Sequence, residues 1–463
     1  MNESNLPPGP RSFWELLSMI FMRQKNPIKL YETIFAKYGD IVFFKLASFR
    51  FVMLNDAQAI EQVLQTDAQN YTKSTSYDRF SFIFGNGLLV SEGDIWKKQR
   101  RLMGSSFSSK QVEKLHPVMV RETSSILNNW KIGEEIDLAK EMNHMTLEII
   151  SVGLFGKRQE NDSLILRSAL QDILNYLQSS RHLWLQLLIA PIPIKDKYKF
   201  AIKLETLLPL KSTKRFFASV NKVNELVLTL IEERRSKNLT ENFLDMLIKI
   251  SNGDEESKMS NQQMRDEVLN ILLAGHESTA NALTWAWHEL LKSPEIYKKV
   301  KEEIHRVLVG ETPTYEELEK LIYTKAVFEE AIRLYPPFWR VSRKNKIQTK
   351  INQYDIPEIT NVIVSIYTIQ RSNKHWNEPN KFKPERFLPE GEPHDKFAYI
   401  PFGAGPRICI GMNFAMVEAL TILSTMVKKY DIEKAFEKDP TYLMSLTLQP
   451  KEGCMVRVKR AKP

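Results

Sequence analysis

Residues Phe402 to Gly411 read FGAGPRICIG, and no other stretch restricts the fold so tightly. Gly403 and Gly405 allow positive φ, Pro406 stiffens the turn, and the apolar spacing of Ile410, Phe414, Val417 and Leu420 starts a helix at once. Cys409 therefore stands just before a helix N-terminus, where unpaired amides and the backbone dipole favour a thiolate, and Arg407 adds positive charge nearby. A phosphate loop fits poorly, because Gly403, Gly405 and Gly411 match neither glycine fingerprint and no Lys-Ser/Thr pair follows. A cysteine nucleophile is an open alternative, although no histidine stands nearby in sequence to serve as its base. A thiolate ligand to iron accounts for more of the loop. The second cysteine, Cys454, lies in an alternating stretch and reads as a small buried hydrophobe. Two cysteines in 463 residues point to a reducing compartment, and neither has a second one close enough for a cysteine-rich zinc site.

The rest of the chain reads as mainly α with small peripheral β-sheets. Strand patterns are short, at Gly39 to Leu46, Phe51 to Leu54, Asn361 to Tyr367 and Gly453 to Val458. Helix starts are frequent, as in Ser293-Pro294-Glu295 and the capping box opened by Thr314. No linker or repeat divides the chain, so residues 1–463 are expected to form a single domain.

One helix stands out, predicted from about Gln263 to Leu291. Helix neighbours three and four apart share a face, so Ile271, Ala274, Gly275, Ser278 and Ala282 form a stripe of mostly small residues. Gly275 costs about 1 kcal/mol relative to alanine there. Either something flat lies against this face or another helix packs closely on it. In FEEAIRLYPP, Glu330 and Arg333 can pair across a helix that must stop before Pro336 and Pro337, and Arg386 in PERF is placed to reach back and complete a buried network.

The apolar run Leu16 to Met22 is too short for a membrane span or a signal peptide, so a soluble, cytoplasmic protein without a transmembrane anchor is expected. The greasy segment Leu183 to Ile194 is proline-broken; peripheral membrane contact, a substrate entrance and ordinary core are its three readings. The net charge of +9 comes from lysines spread along the chain with no nucleic-acid-binding motif, so nucleic acid is not expected as a partner.

Together these motifs resemble the cytochrome P-450 family of haem-thiolate monooxygenases. Phe402, Gly405, Arg407, Cys409 and Gly411 fit its FxxGxRxCxG loop, Ala274 to Ser278 its oxygen-binding helix, Glu330 and Arg333 its ExxR, and Pro384 to Phe387 its PERF element. With LPPGP at the N-terminus and WxxxR at Trp96 to Arg100, the likeness covers nearly the whole chain in family order. The resemblance implies haem b with Cys409 as iron ligand and Phe402, Gly403 and Gly411 shaping its loop. It further implies Trp96, Arg100, Arg407 and Arg340 at the haem propionates, and Ala274 and Gly275 over the distal face. Glu277 and Ser278, with Thr279 following, match the acid-alcohol pair that delivers protons, serine standing where threonine is commoner.

A monomer is implied, drawing electrons from a separate ferredoxin or flavodoxin with an NAD(P)H-dependent reductase; Lys97, Lys98 and Arg101 are candidates for the docking patch, an ordinary solvated helix face being the alternative. The motif style is closest to soluble bacterial-type fatty-acid and xenobiotic hydroxylases, so an apolar substrate is expected, a fatty acid first and a terpenoid or steroid second. Pocket roles would fall to Tyr71 to Leu89, Leu183 to Ile194, residues 271–278, Phe338 to Val341 and Ser445 to Leu448. A peroxide-using or peroxide-rearranging haem-thiolate enzyme and a haem sensor are the alternative functions.

Overall fold

A computed structural model describes residues 5–46, 48–156, 160–177, 200, 204, 207, 210–236, 242–253, 258–444 and 446–461. Helices dominate. Those that build the site are α1 (Gly93–Ser106), α2 (Leu138–Phe155), α3 (Asn261–Lys292), α4 (Ile322–Leu334) and α5 (Met412–Lys429). Helix α3 runs two residues further at its start than its periodicity predicts, because Ser260 caps it through Gln263 N at 3.1 Å. It is the axis of the molecule: Trp285 and Trp287 are fully buried, and Trp285 stacks on Tyr335 with ring centroids 4.2 Å apart. The Thr314 capping box is present, its hydroxyl accepting from Glu317 N at 3.2 Å.

The largest sheet has five strands, β1 (Ile41–Leu46), β2 (Phe49–Leu54), β3 (Tyr71–Lys73), β4 (Arg340–Asn345) and β5 (Thr360–Ser365), in spatial order β1-β2-β5-β4-β3. Strands β2 and β5 run parallel, with Val52 opposite Val362, and every other pairing is antiparallel. Central β5 is buried along its whole length, as expected of a strand covered on both faces. Met455–Arg460 pairs between Tyr430–Lys434 and Glu135–Asp137, and Tyr442–Met444 pairs with Leu448–Pro450. Among the described residues no helix is long and apolar enough to cross a membrane. Leu183 to Ile194 lies outside the described residues.

Candidate functional site

Gly403 and Gly405 both take positive φ, at 73° and 69°. A Cβ on Gly405 would lie 1.8 Å from the carbonyl oxygen of Leu64, so the cysteine loop is seated on the segment Gln62–Thr66. Cys409 N donates to Phe402 O at 2.9 Å, closing the turn, and α5 begins immediately after Gly411. The Cys409 thiol has open surface, yet its surroundings push its pKa up, a combination that fits a group lining an internal cleft. Burial is the largest cause; the Gly411 amide and the Arg100 charge oppose it. Two points differ from the sequence expectation. Arg100 rather than Arg407 is the cation coupled to the thiol, and burial outweighs the helix terminus, so the free thiol holds its proton. Direct coordination to a metal would remove it.

Trp96 and Arg100 lie one turn apart on α1, and the Arg407 guanidinium stacks over Trp96 at 4.3 Å. Arg407 Nη1 is buried without a hydrogen-bond partner. Arg340 is not brought to this group: it donates to Tyr31 Oη at 3.2 Å and stacks on Trp339 at 4.6 Å. Arg343, three residues on, is buried and acts electrostatically on both Arg407 and Lys73. Side chains alternate along a strand, so two positions an odd number apart on β4 point to opposite faces. Lys73, which the sequence expectation covers only as part of Tyr71 to Leu89, is pushed down to about 7 by burial and then by Arg407; its Nζ donates to Leu88 O and Ser91 O, each at 2.8 Å.

Around Ala274 the long helix is uncovered: Ala274 is exposed and Gly275 and Ser278 are half-buried, while Leu272, Leu273, His276, Glu277 and Thr279 are buried. Ser278 Oγ donates to Ala274 O at 2.8 Å, so its lone pairs stay free to accept. Glu277 does not share that face, since consecutive helical residues lie about 100° apart. Its Oε1 accepts from Thr447 Oγ1 at 2.9 Å and from Gln449 Nε2, and burial pushes its pKa up to about 7. His276 is buried with Nδ1 donating to Leu272 O at 2.8 Å, which makes it a packing residue.

Beneath Thr279 lies a group the sequence reading passed over, Glu418 on α5. It is fully buried, neither carboxyl oxygen has a well-formed hydrogen bond, and burial holds its pKa well above the usual carboxylate range, with Thr279 the neighbour that favours the charged form. A raised folded-state pKa means the native state binds more protons than the unfolded one, so stability falls as pH rises above the ordinary carboxylate range. Glu418→Gln is expected to stabilise the protein at pH 8 by about 1–3 kcal/mol and to lose that gain towards pH 4, as read from denaturant unfolding at both pH values.

The triad residues meet. Glu330 takes two bonds from Arg333, at 2.6 and 2.9 Å, and one from Arg386 Nε at 3.3 Å, and it also accepts from Lys383 N at 2.9 Å. Arg333 Nη1 donates to Gln370 O at 2.6 Å and Pro379 O at 2.8 Å, fixing the irregular segment against α4.

The residues present fit the haem that the resemblance implies. An open cysteine, a buried arginine nitrogen without a partner and an uncovered stretch of α3 are what a flat group with an iron and anionic edges requires. Cys409 would supply the iron ligand, and Arg407, Arg100 and Trp96 the carboxylate side. Of the docking candidates, Lys97 and Arg101 are exposed, whereas Lys98 donates to Lys258 O at 3.2 Å.

Comparison with known proteins gives a match to the cytochrome P-450 family model over residues 7–457. Cyclooctatin synthase of Streptomyces melanosporofaciens is 29% identical over 89% of this chain and 88% of its own length. Cyclooctat-9-en-7-ol 5-monooxygenase of the same organism is 26% identical over 85% of this chain and 82% of its own. The plant protein LUTEIN DEFICIENT 5 of Arabidopsis thaliana is 27% identical over 94% of this chain and 74% of its own. The crystal structure of the cytochrome P450DA heme domain superposes with a TM-score of 0.86 at 21% identity, covering 99% of both chains, a likeness of fold.

Proposed function

Since the chain belongs to the cytochrome P-450 family, whose members here are haem-dependent monooxygenases, we propose that it hydroxylates an apolar substrate of the terpenoid class, with fatty acids second. Two relatives named for cyclooctatin synthesis and for oxidising cyclooctat-9-en-7-ol support the order of the two classes, reversing the preference drawn from motif style alone. Electrons come from a separate ferredoxin or flavodoxin in the cytoplasm.

The open Cys409 thiol, beside the charge of Arg100, is the observation that carries the reading. When bound, a haem with a cysteine thiolate ligand supplies the electron push that activates dioxygen. The chain's own part is then positional. Arg407, Arg100 and Trp96 orient the cofactor edge, the small residues Ala274 and Gly275 leave room on α3, and Ser278 presents a hydroxyl whose own proton is committed to Ala274 O. Glu277, with a pKa of about 7, exchanges a proton at physiological pH, and its carboxyl, now bonded to Thr447 and Gln449, must turn from them to deliver that proton to the Ser278 side.

Reduced, carbon-monoxide-treated protein should show the red-shifted Soret band of a thiolate-ligated haem; a histidine-like band from folded, haem-loaded protein would overturn the assignment. Titration with cyclic terpenes and with fatty acids, followed by the low-spin to high-spin shift, then decides the substrate class. Ser278→Ala should release more peroxide per NAD(P)H consumed, and Glu277→Gln should flatten the pH dependence of that ratio around pH 7; unchanged coupling in both variants removes the pair from proton delivery.

One observation favours a second reading. Glu277 is turned to Thr447 and Gln449 rather than to the Ser278 face, which suits an enzyme that takes peroxide directly. Product formation from peroxide alone, at a rate matching that with NAD(P)H and an electron donor, would select it.

A further inference from the structure

Arg407 is held on two sides and unpartnered on a third. Its plane lies over Trp96, its Nη2 donates to Glu92 Oε2 at 2.5 Å, and its Nη1 is the buried nitrogen without a partner. A guanidinium is planar with its donors in a fixed fork, so fixing one face and one edge leaves Nη1 a single direction. The grip on Nη2 is itself held: the other oxygen of Glu92 accepts from Lys73 N at 2.7 Å.

The segment leading into Glu92 is strapped to the long helix. Asn86 N donates to Asp266 Oδ2 at 2.9 Å, Leu88 N to Glu267 Oε2 at 3.1 Å and Leu89 N to Asn270 Oδ1 at 3.1 Å. Lys73 Nζ closes the strap from the other side through Leu88 O and Ser91 O. The direction of Nη1 is thereby referred to α3, the helix that carries Ser278. An ordinary exposed ion pair would be worth little, and Glu92 keeps 34% of its side chain exposed. What sets this pair apart is that Glu92 takes one edge of Arg407 and leaves the buried nitrogen free.

We propose that Glu92 is a positioning residue for haem: by holding the Nη2 edge of Arg407 it aims Nη1 at a haem carboxylate, and the strap of residues 86–92 ties that aim to the long helix. The inference rests on the reading of Arg407 as a haem-carboxylate arginine.

The test uses the full-length, haem-loaded protein and follows transfer of haem to excess apomyoglobin, together with the reduction potential of the bound haem. Glu92→Ala should lose haem about tenfold faster than wild type, the scale of one charge-assisted hydrogen bond. Its potential should rise, since an anion has been removed near the cofactor. Glu92→Asp should recover part of both effects, which loss of packing alone would not explain. Wild-type haem loss and potential in Glu92→Ala, alongside rapid loss in Arg407→Ala, overturns the role of Glu92 and leaves Arg407 in place. Wild-type retention in Arg407→Ala overturns the reading beneath it. Should Glu92→Ala fail to fold, Glu92→Gln decides: its one amide oxygen cannot hold both Arg407 Nη2 and Lys73 N as the two carboxylate oxygens do, so haem transfer must quicken, and wild-type haem loss overturns the role.

Discussion

Cys409→Ser, loaded with haem, is expected to lose the red-shifted Soret band of the reduced carbon monoxide complex and to fall to background monooxygenase activity. The reason lies in how the loop is built. The turn is closed by the backbone bond from Cys409 N to Phe402 O and seated by Gly405 on Leu64, neither of which involves the thiol. Serine at this position leaves those contacts in place, so loss of the signal reports on the ligand rather than on folding. Sulfur gives iron a soft, electron-rich ligand that a serine hydroxyl does not reproduce. Optical spectra of the variant, with haem content measured separately, check the result, and a retained red-shifted band would place the ligand elsewhere.

Glu330→Gln is expected to cost about 3–5 kcal/mol, because it removes the carboxylate that sits between two buried guanidinium groups. The side chains of Glu330 and Arg333 are fully buried and that of Arg386 is 2% exposed, so no water replaces the lost partner. The surface pair Lys299 and Glu385, at 2.9 Å but 54% and 36% exposed, is the control: Lys299→Ala should cost less than about 1 kcal/mol. Denaturant unfolding of the haem-loaded proteins measures both. A Glu330→Gln cost as small as the control would mean that Gln370 O and Pro379 O suffice to hold Arg333.

The parts legible in the sequence were those carried by local pattern. The long helix announces itself by periodicity, the cysteine loop by its glycines and the helix behind it, and Glu330 and Arg333 by their spacing of three. The reach of Arg386 to Glu330 across 56 positions was legible, but other contacts between distant segments were not. The partner of Glu277, Thr447, is 170 positions away, and that of Arg407, Glu92, is 315 positions away. Arg340 shows a different limit: telling which face of β4 it points to needed the parity of the strand, and a run of six residues with three charges, RVSRKN, has no clean alternation from which to read it. Glu418 looks in sequence like any polar position of a helix, and only the packing of α5 reveals that it is fully buried.

The parallel pairing of β2 with β5 sets the order in which the molecule can assemble. Arg50 pairs with Thr360, so the early strands wait 310 residues (360 minus 50) for the strand that covers them. At ordinary ribosomal speeds that delay is roughly 15 to 60 s, during which an apolar strand edge is open to wrong partners. Arg343, on the strand beside β5, takes its place beside Arg407 only after the same wait. Slower, cooler expression and a ready supply of haem at the end of synthesis should therefore raise the yield of holoprotein more than a stronger promoter would.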